Sequence, residues 1–136
     1  MPESLKRPTL IHVIVADSIH LSPEGKVTAY GIFNRINIAG LPAIHPTFSL
    51  LITIGYGKPD KYSMHFLILS PSNKKVLETP VNEFQLDTPR VVHNWCTQFQ
   101  GFQLGEEGEY RIVIYLRDEG LPLTDQTLFF VEKKKG

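Results

Sequence analysis

Apolar and polar positions alternate along most of this chain with a period of two, the spacing of a strand with one face in a core. Phe48, Leu50, Ile52 and Ile54 fall on one side of Thr47–Ile54, and Tyr62, Met64, Phe66 and Ile68 on one side of Tyr62–Leu69. Tyr110, Ile112, Ile114 and Leu116 alternate with Arg111, Val113, Tyr115 and Arg117. Leu10–Ala16 is a β-branched run of the length of a largely buried strand, and Val27–Ile38 returns after it. Val76–Leu86 is interrupted by Pro80, which predicts an edge strand or a strand broken in two. Val91–Phe99 sets Val91, Trp95 and Phe99 on one face with His93 between them, and Thr127–Glu132 closes a last hairpin after the turn Asp118-Glu119-Gly120. No segment keeps helical periodicity beyond about two turns.

Turn chemistry separates these segments. Ser22-Pro23-Glu24-Gly25 presets one backbone angle with proline and admits a positive one with glycine, and Ser70-Pro71-Ser72-Asn73 repeats the device. About eight short strands with such turns predict an antiparallel two-sheet β-sandwich, immunoglobulin- or fibronectin-like in the broad sense. Glu106-Glu107-Gly108-Glu109-Tyr110 resembles the tyrosine corner of those folds, with Leu104 as the plug beneath it. Residues 1–136 are expected to form one domain, with 1–8 and 133–136 frayed.

Pairing the first hairpin around Ser22–Gly25 sets Leu21 opposite Lys26, Asp17 opposite Tyr30, Ala16 opposite Gly31 and His12 opposite Arg35. One face then carries His12, Ile14, Ala16, Gly31, Phe33 and Arg35, with a low spot at Ala16 and Gly31 where another surface could approach closely. Gly40, Pro42 and Pro46 are expected to pin the crossing to the second sheet. The candidate contact surface is Ala16, Tyr30, Gly31, Phe33, Arg35 and His45, with His45 as its chemical group.

Composition narrows the partners. Hydrophobic residues make up 42% and charged residues 21%, the balance of an ordinary globular chain. Lys and Arg number 14 against 14 Asp and Glu, so the basic surplus of a nucleic-acid binder is missing. The basic residues before Leu10–Ala16 precede too short an apolar run for a leader or a membrane span. With a single cysteine, Cys96, these features predict a cytoplasmic protein.

Reactive constellations are sparse. His93 and Cys96 lie an odd number of positions apart and point to opposite strand faces. His12, His20, His45, His65 and His93 have no i, i+2 or i, i+4 spacing, so neither a metal nor a cofactor is expected. Asp17, Ser18 and His20 lack a nucleophile elbow, and Gly55-Tyr56-Gly57-Lys58 lacks the helix that would hold phosphate. Trp95, Tyr30, Tyr56, Tyr62 and Tyr115 are a candidate sugar-binding platform.

Ala16-Asp17, Gly31-Ile32-Phe33-Asn34-Arg35-Ile36, Pro42-Ala43-x-His45-Pro46 and Gly108-x-Tyr110 together resemble an uncharacterised bacterial family of single-domain proteins of unknown function. The resemblance implies no activity and transfers no site residue. The sequence therefore predicts a non-enzymatic protein-binding or assembly module, with self-association into a homodimer as one form. The alternatives are a small hydrolase-like enzyme using His and Asp at one end of the sandwich, and a carbohydrate-binding module.

Overall fold

A computed structural model describes residues 7–116 and 122–134. The Asp118–Gly120 turn lies outside them. Ten strands follow in order: β1 (Thr9–Leu21), β2 (Val27–Ile32), β3 (Arg35–Ile38), β4 (Ala43–Gly55), β5 (Asp60–Leu69), β6 (Lys75–Glu78), β7 (Asn82–Leu86), β8 (Val92–Leu104), β9 (Gly108–Leu116) and β10 (Thr124–Lys133). They build two sheets, ordered β2-β1-β4-β8 and β3-β10-β9-β5-β6, with β7 also paired to β5. The fold is the all-β, two-sheet, immunoglobulin-like sandwich that the alternation predicts. The strand count rises from eight to ten because two expected strands are each split. Val27–Ile38 becomes β2 and β3, and the stretch around Pro80 becomes β6 and β7.

The core lies between the sheets. Phe48, Leu50, Ile52 and Ile54 of β4 face Tyr62, Met64, Phe66 and Ile68 of β5 and Tyr110, Ile112, Ile114 and Leu116 of β9, all at most 3% exposed. Burying each such side chain contributes roughly 1.5–3 kcal/mol. The tyrosine corner is present. Tyr110 Oη donates to the Glu106 carbonyl at 3.0 Å and accepts from the Glu106 N–H at 3.2 Å, above a fully buried Leu104. Both Ser-Pro turns share one hydrogen-bond pattern. Ser22 N–H donates to the Lys26 carbonyl, as Ser70 N–H does to Lys74, and each serine hydroxyl accepts the later lysine's N–H.

That pattern corrects the first hairpin. The loop runs from Ser22 to Lys26, one residue longer than expected, so Leu21 pairs with Val27, Ser18 with Tyr30 and Ala16 with Ile32. A slip of one residue moves each side chain of a strand to the opposite face relative to its partner. Gly31 therefore lies across from Asp17, and Ala16 is fully buried, so the low spot at Ala16 and Gly31 does not exist. The His12–Arg35 pair is absent as well. After Phe33, whose N–H still bonds the Val15 carbonyl, the chain crosses to the second sheet, where Arg35 aligns with Phe130 in the parallel β3–β10 pair.

The chain returns to the first sheet through the Gly40–Pro42 segment, as the loop-breakers predict, with a cis Leu41–Pro42 peptide. Pro46, by contrast, sits inside β4. Of the ends expected to fray, residues 1–6, 135 and 136 lie outside the described residues, and the described ones are ordered. Pro8 is buried, Lys133 belongs to β10, and Lys134 N–H bonds the Ile38 carbonyl.

Candidate functional site

The position of His45 follows from a phase break shared by two strands. In β4 the inward positions are Ala43 and His45, then Phe48, Leu50, Ile52 and Ile54; in β8 they are Trp95 and Phe99, then Phe102 and Leu104. The β4–β8 register is unbroken around this shift, with His45 opposite Phe102 and Thr47 opposite Gln100. The residues at the break are Pro46, which has no N–H to donate, and Gly101, whose φ of +65° suits a residue without Cβ. Both strands thus change face together, and His45 turns towards the end of the core.

There the His45 ring packs against Phe33 and Phe48, each with centroids 5.7 Å away. Its Nε2 is inaccessible to solvent and has no hydrogen-bond partner among the described residues. Burial holds the imidazole pKa below its usual value, and the Asp17 carboxylate opposes that shift. At neutral pH His45 is therefore an uncharged ring with one polar atom unsatisfied.

Asp17, Gly31, Phe33, Arg35, His45 and Lys134 line one groove of about 490 Å³. The sheet crossing at Phe33 and Asn34 forms its wall, and the β3–β10 pair brings Arg35 and Lys134 to it. Arg35 Nε lies 3.5 Å from Glu132 Oε1, with both side chains about half exposed, so this pair is a surface tether worth little. Ile32 also lines the groove and is 66% exposed. The same residue borders a second cleft of about 450 Å³ on the outer face of the first sheet, among Ile11, Ile14, Leu51, Thr53 and Tyr56.

Four of the six expected contact residues, Gly31, Phe33, Arg35 and His45, therefore meet in one groove. Tyr30, 58% exposed, stands beside Gly31 with its ring against His20, and Ala16 contributes no surface. Sequence reading missed five members, Asp17, Ile32, Ile36, Asn37 and Lys134. A five-residue hairpin loop would have revealed Asp17 and Ile32 through the register, whereas nothing local to Lys134 signals its arrival through β10.

The other constellations disperse. Asp17 shares the groove with His45, but His20 lies outside it, and the lining holds no hydroxyl or thiol nucleophile. His93 stacks on Phe84 inside the sandwich, with centroids 4.6 Å apart, while Cys96 faces the other way with a thiol pKa raised by burial. Trp95 packs edge-on to Phe66 inside the core, Tyr62 is buried and bonds the Lys58 carbonyl, and Tyr115 stacks on His65. The five aromatic residues thus form no common platform. Among the described residues no three His, Cys, Asp or Glu gather into a metal site.

Several solved structures are similar to this chain. The Pseudomonas fluorescens alkylpurine DNA glycosylase AlkC bound to DNA containing an abasic site analog matches at a TM-score of 0.54 and 12% identity, over 93% of this chain and 31% of that one. This chain thus spans under a third of the glycosylase. A putative β-galactosidase from Bacteroides fragilis matches at a TM-score of 0.47 and 15% identity, over 65% of this chain and 15% of that one. An immunoglobulin-like protein from Pseudomonas aeruginosa matches at a TM-score of 0.34 and 11% identity, over 95% of this chain and 99% of that one. No curated protein matches the sequence. A family model does match residues 12–125, most of the chain, including the sheet crossing and the groove residues Asp17 to His45. The chain belongs to the family of unknown function DUF6941.

Proposed function

We propose that this protein is a non-enzymatic binding or assembly module whose contact surface is built by Tyr30, Gly31, Phe33, Arg35 and His45, with Ile32 at its centre. The observation that carries this reading is the placement of Ile32. It is a large apolar side chain, 66% exposed, on the ridge between two clefts, with Tyr30 at 58% two positions away. Single exposed apolar residues are ordinary, but a cluster rimmed by Asp17, Arg35 and Lys134 has the composition of an interface: an apolar centre within a charged margin.

The groove lining supports binding over turnover, because among the described residues no hydroxyl or thiol stands beside its half-buried imidazole. Equal numbers of acidic and basic residues favour a protein partner over nucleic acid, and the DNA in the glycosylase complex is not carried across at 12% identity. The free thiol of Cys96 suits a reducing, cytoplasmic setting.

The test is capture from a lysate of the native host by the immobilised chain and by its Ile32→Asp variant. A discrete protein retained by the unaltered chain and lost from the folded variant is the expected result. Identical retention by both would remove Ile32 and its neighbours from the function.

A further inference from the structure

The sheet edges of this sandwich are unequal. β2, β3, β6 and β7 have 6, 4, 4 and 5 residues, whereas β8, the other end of the first sheet, has 13. One rank of β8 backbone groups bonds β4, and among the described residues no strand pairs with the other rank, although Phe84 of β7 packs on His93 at one end. Natural proteins blunt such an edge with charge, proline or a bulge, because an open ladder recruits another strand. Val92–Leu104 contains no Lys, Arg, Asp, Glu or Pro. The one irregularity in its path is Gly101, near its end, which leaves Val92–Gln100 as a regular, uncharged run.

We propose that two copies of this chain pair antiparallel along Val92–Gln100 of β8, about a two-fold axis at Cys96, joining their four-stranded sheets into one. In that register Val92 faces Gln100 of the other copy, Asn94 faces Gln98, and Cys96 faces itself. Self-pairing sets like against like at the axis and repeats every charge symmetrically, so a strand free of charge suits it. Burial keeps the Cys96 thiol protonated, and it adds no charge at the centre. Gln98, Gln100 and Val92 are exposed and available to the second copy.

Symmetry selects this arrangement over the other edge pairing. β8 against β2 of a neighbour would be head-to-tail, leaving a free β8 and a free β2 at the ends to propagate into a filament. β8 against β8 consumes the long edge of both copies and closes. The interface lies at the opposite edge of the sheet from Ile32, and only Val92 and Asn94 of β8 also line the outer-face cleft that Ile32 borders.

Light scattering on the full chain tests the pairing, with the double variant Val92→Lys, Gln100→Lys as its partner measurement. The variant places lysine directly opposite lysine at both ends of the paired run. The expected results are twice 15.4 kDa for the unaltered chain and 15.4 kDa for the variant, with the circular dichroism spectrum unchanged. Diamide should link the unaltered dimer through Cys96, the single cysteine, and leave the variant unlinked. Should the double variant fail to fold, Gln98→Lys, a change at one exposed position, repeats the measurement. A 15.4 kDa monomer at every soluble concentration would overturn the proposal. So would a dimer whose mass survives the lysines.

Discussion

The Asp17 carboxyl group lies directly over the Cα of Gly31, its cross-strand neighbour. A Cβ built on Gly31 would fall 2.8 Å from Asp17 Cγ and closer still to Oδ2, and the Gly31 φ is +69°. Two separate constraints therefore exclude a side chain there, one from backbone conformation and one from contact. Gly31→Ala should destabilise the fold by roughly 1–3 kcal/mol in urea unfolding. In the double variant with Asp17→Gly, the contact part of that loss should be recovered and the backbone part retained. Equal losses with and without Asp17 would show that the carboxylate gives way freely.

Tyr110→Phe removes a hydroxyl that serves both the N–H and the carbonyl of Glu106. Tyr110 is 1% exposed, so those backbone groups lose their partner at the edge of the core. A loss of roughly 1–3 kcal/mol is expected from equilibrium unfolding, with the folded spectrum retained. A change within error would mean that water replaces the hydroxyl at no cost.

Phe48 is the centre of an aromatic cluster, with ring centroids 5.1 Å from Phe99, 5.3 Å from Phe102 and 5.9 Å from Phe129. Phe48→Ala should cost roughly 3–5 kcal/mol, because its neighbours come from two other strands, β8 and β10, on opposite sheets and cannot all collapse onto one cavity. Phe130→Ala on β10, where the ring is 41% exposed, should cost about 1 kcal/mol or less. Comparable unfolding midpoints for the two variants would contradict this packing.

His93 is held below its ordinary value of 6.5 by burial, and so is His45, with Asp17 opposing the shift at His45. The unfolded chain therefore takes up protons at these positions before the folded chain does. Stability is complete above the unfolded value of 6.5 and declines as pH falls from there towards the lower folded values. The urea midpoint should drop on acidification, by at most about 1.4 kcal/mol per pH unit for each histidine. His93→Phe, which keeps a ring against Phe84, should flatten that slope. An equally steep slope in the variant would assign the titration elsewhere.

Much of this architecture was legible because alternation reports burial directly. The runs in β4, β5 and β9 face the core as their spacing predicts, and Tyr110 closes the expected corner. Two kinds of feature were hidden. A hairpin loop of four residues or five uses the same Ser-Pro-x-Gly chemistry, yet the difference decides whether Gly31 meets Ala16 or Asp17. The departure of the chain at Phe33 was also masked, since Gly31-Ile-Phe-Asn-Arg-Ile alternates well enough to pass as one strand. His45 was recognised as the chemical group of the stretch, but its inward turn depends on Gly101, a residue 56 positions later in the numbering. Local pattern carries no record of such a partner.

The parallel β3–β10 pair gives the groove an unusual history. Arg35 aligns with Phe130, 95 positions further along, and among the described residues β3 pairs with β10 alone, so its ladder forms only once the last strand has folded into place. Contacts of that span close late, after shorter-range pairings have already bought the entropy of the intervening chain. Until then Arg35 and Lys134 stay apart and the groove lacks one wall. A partner that reads this groove would therefore engage only molecules whose final strand has docked, and its binding would double as a check on finished folding.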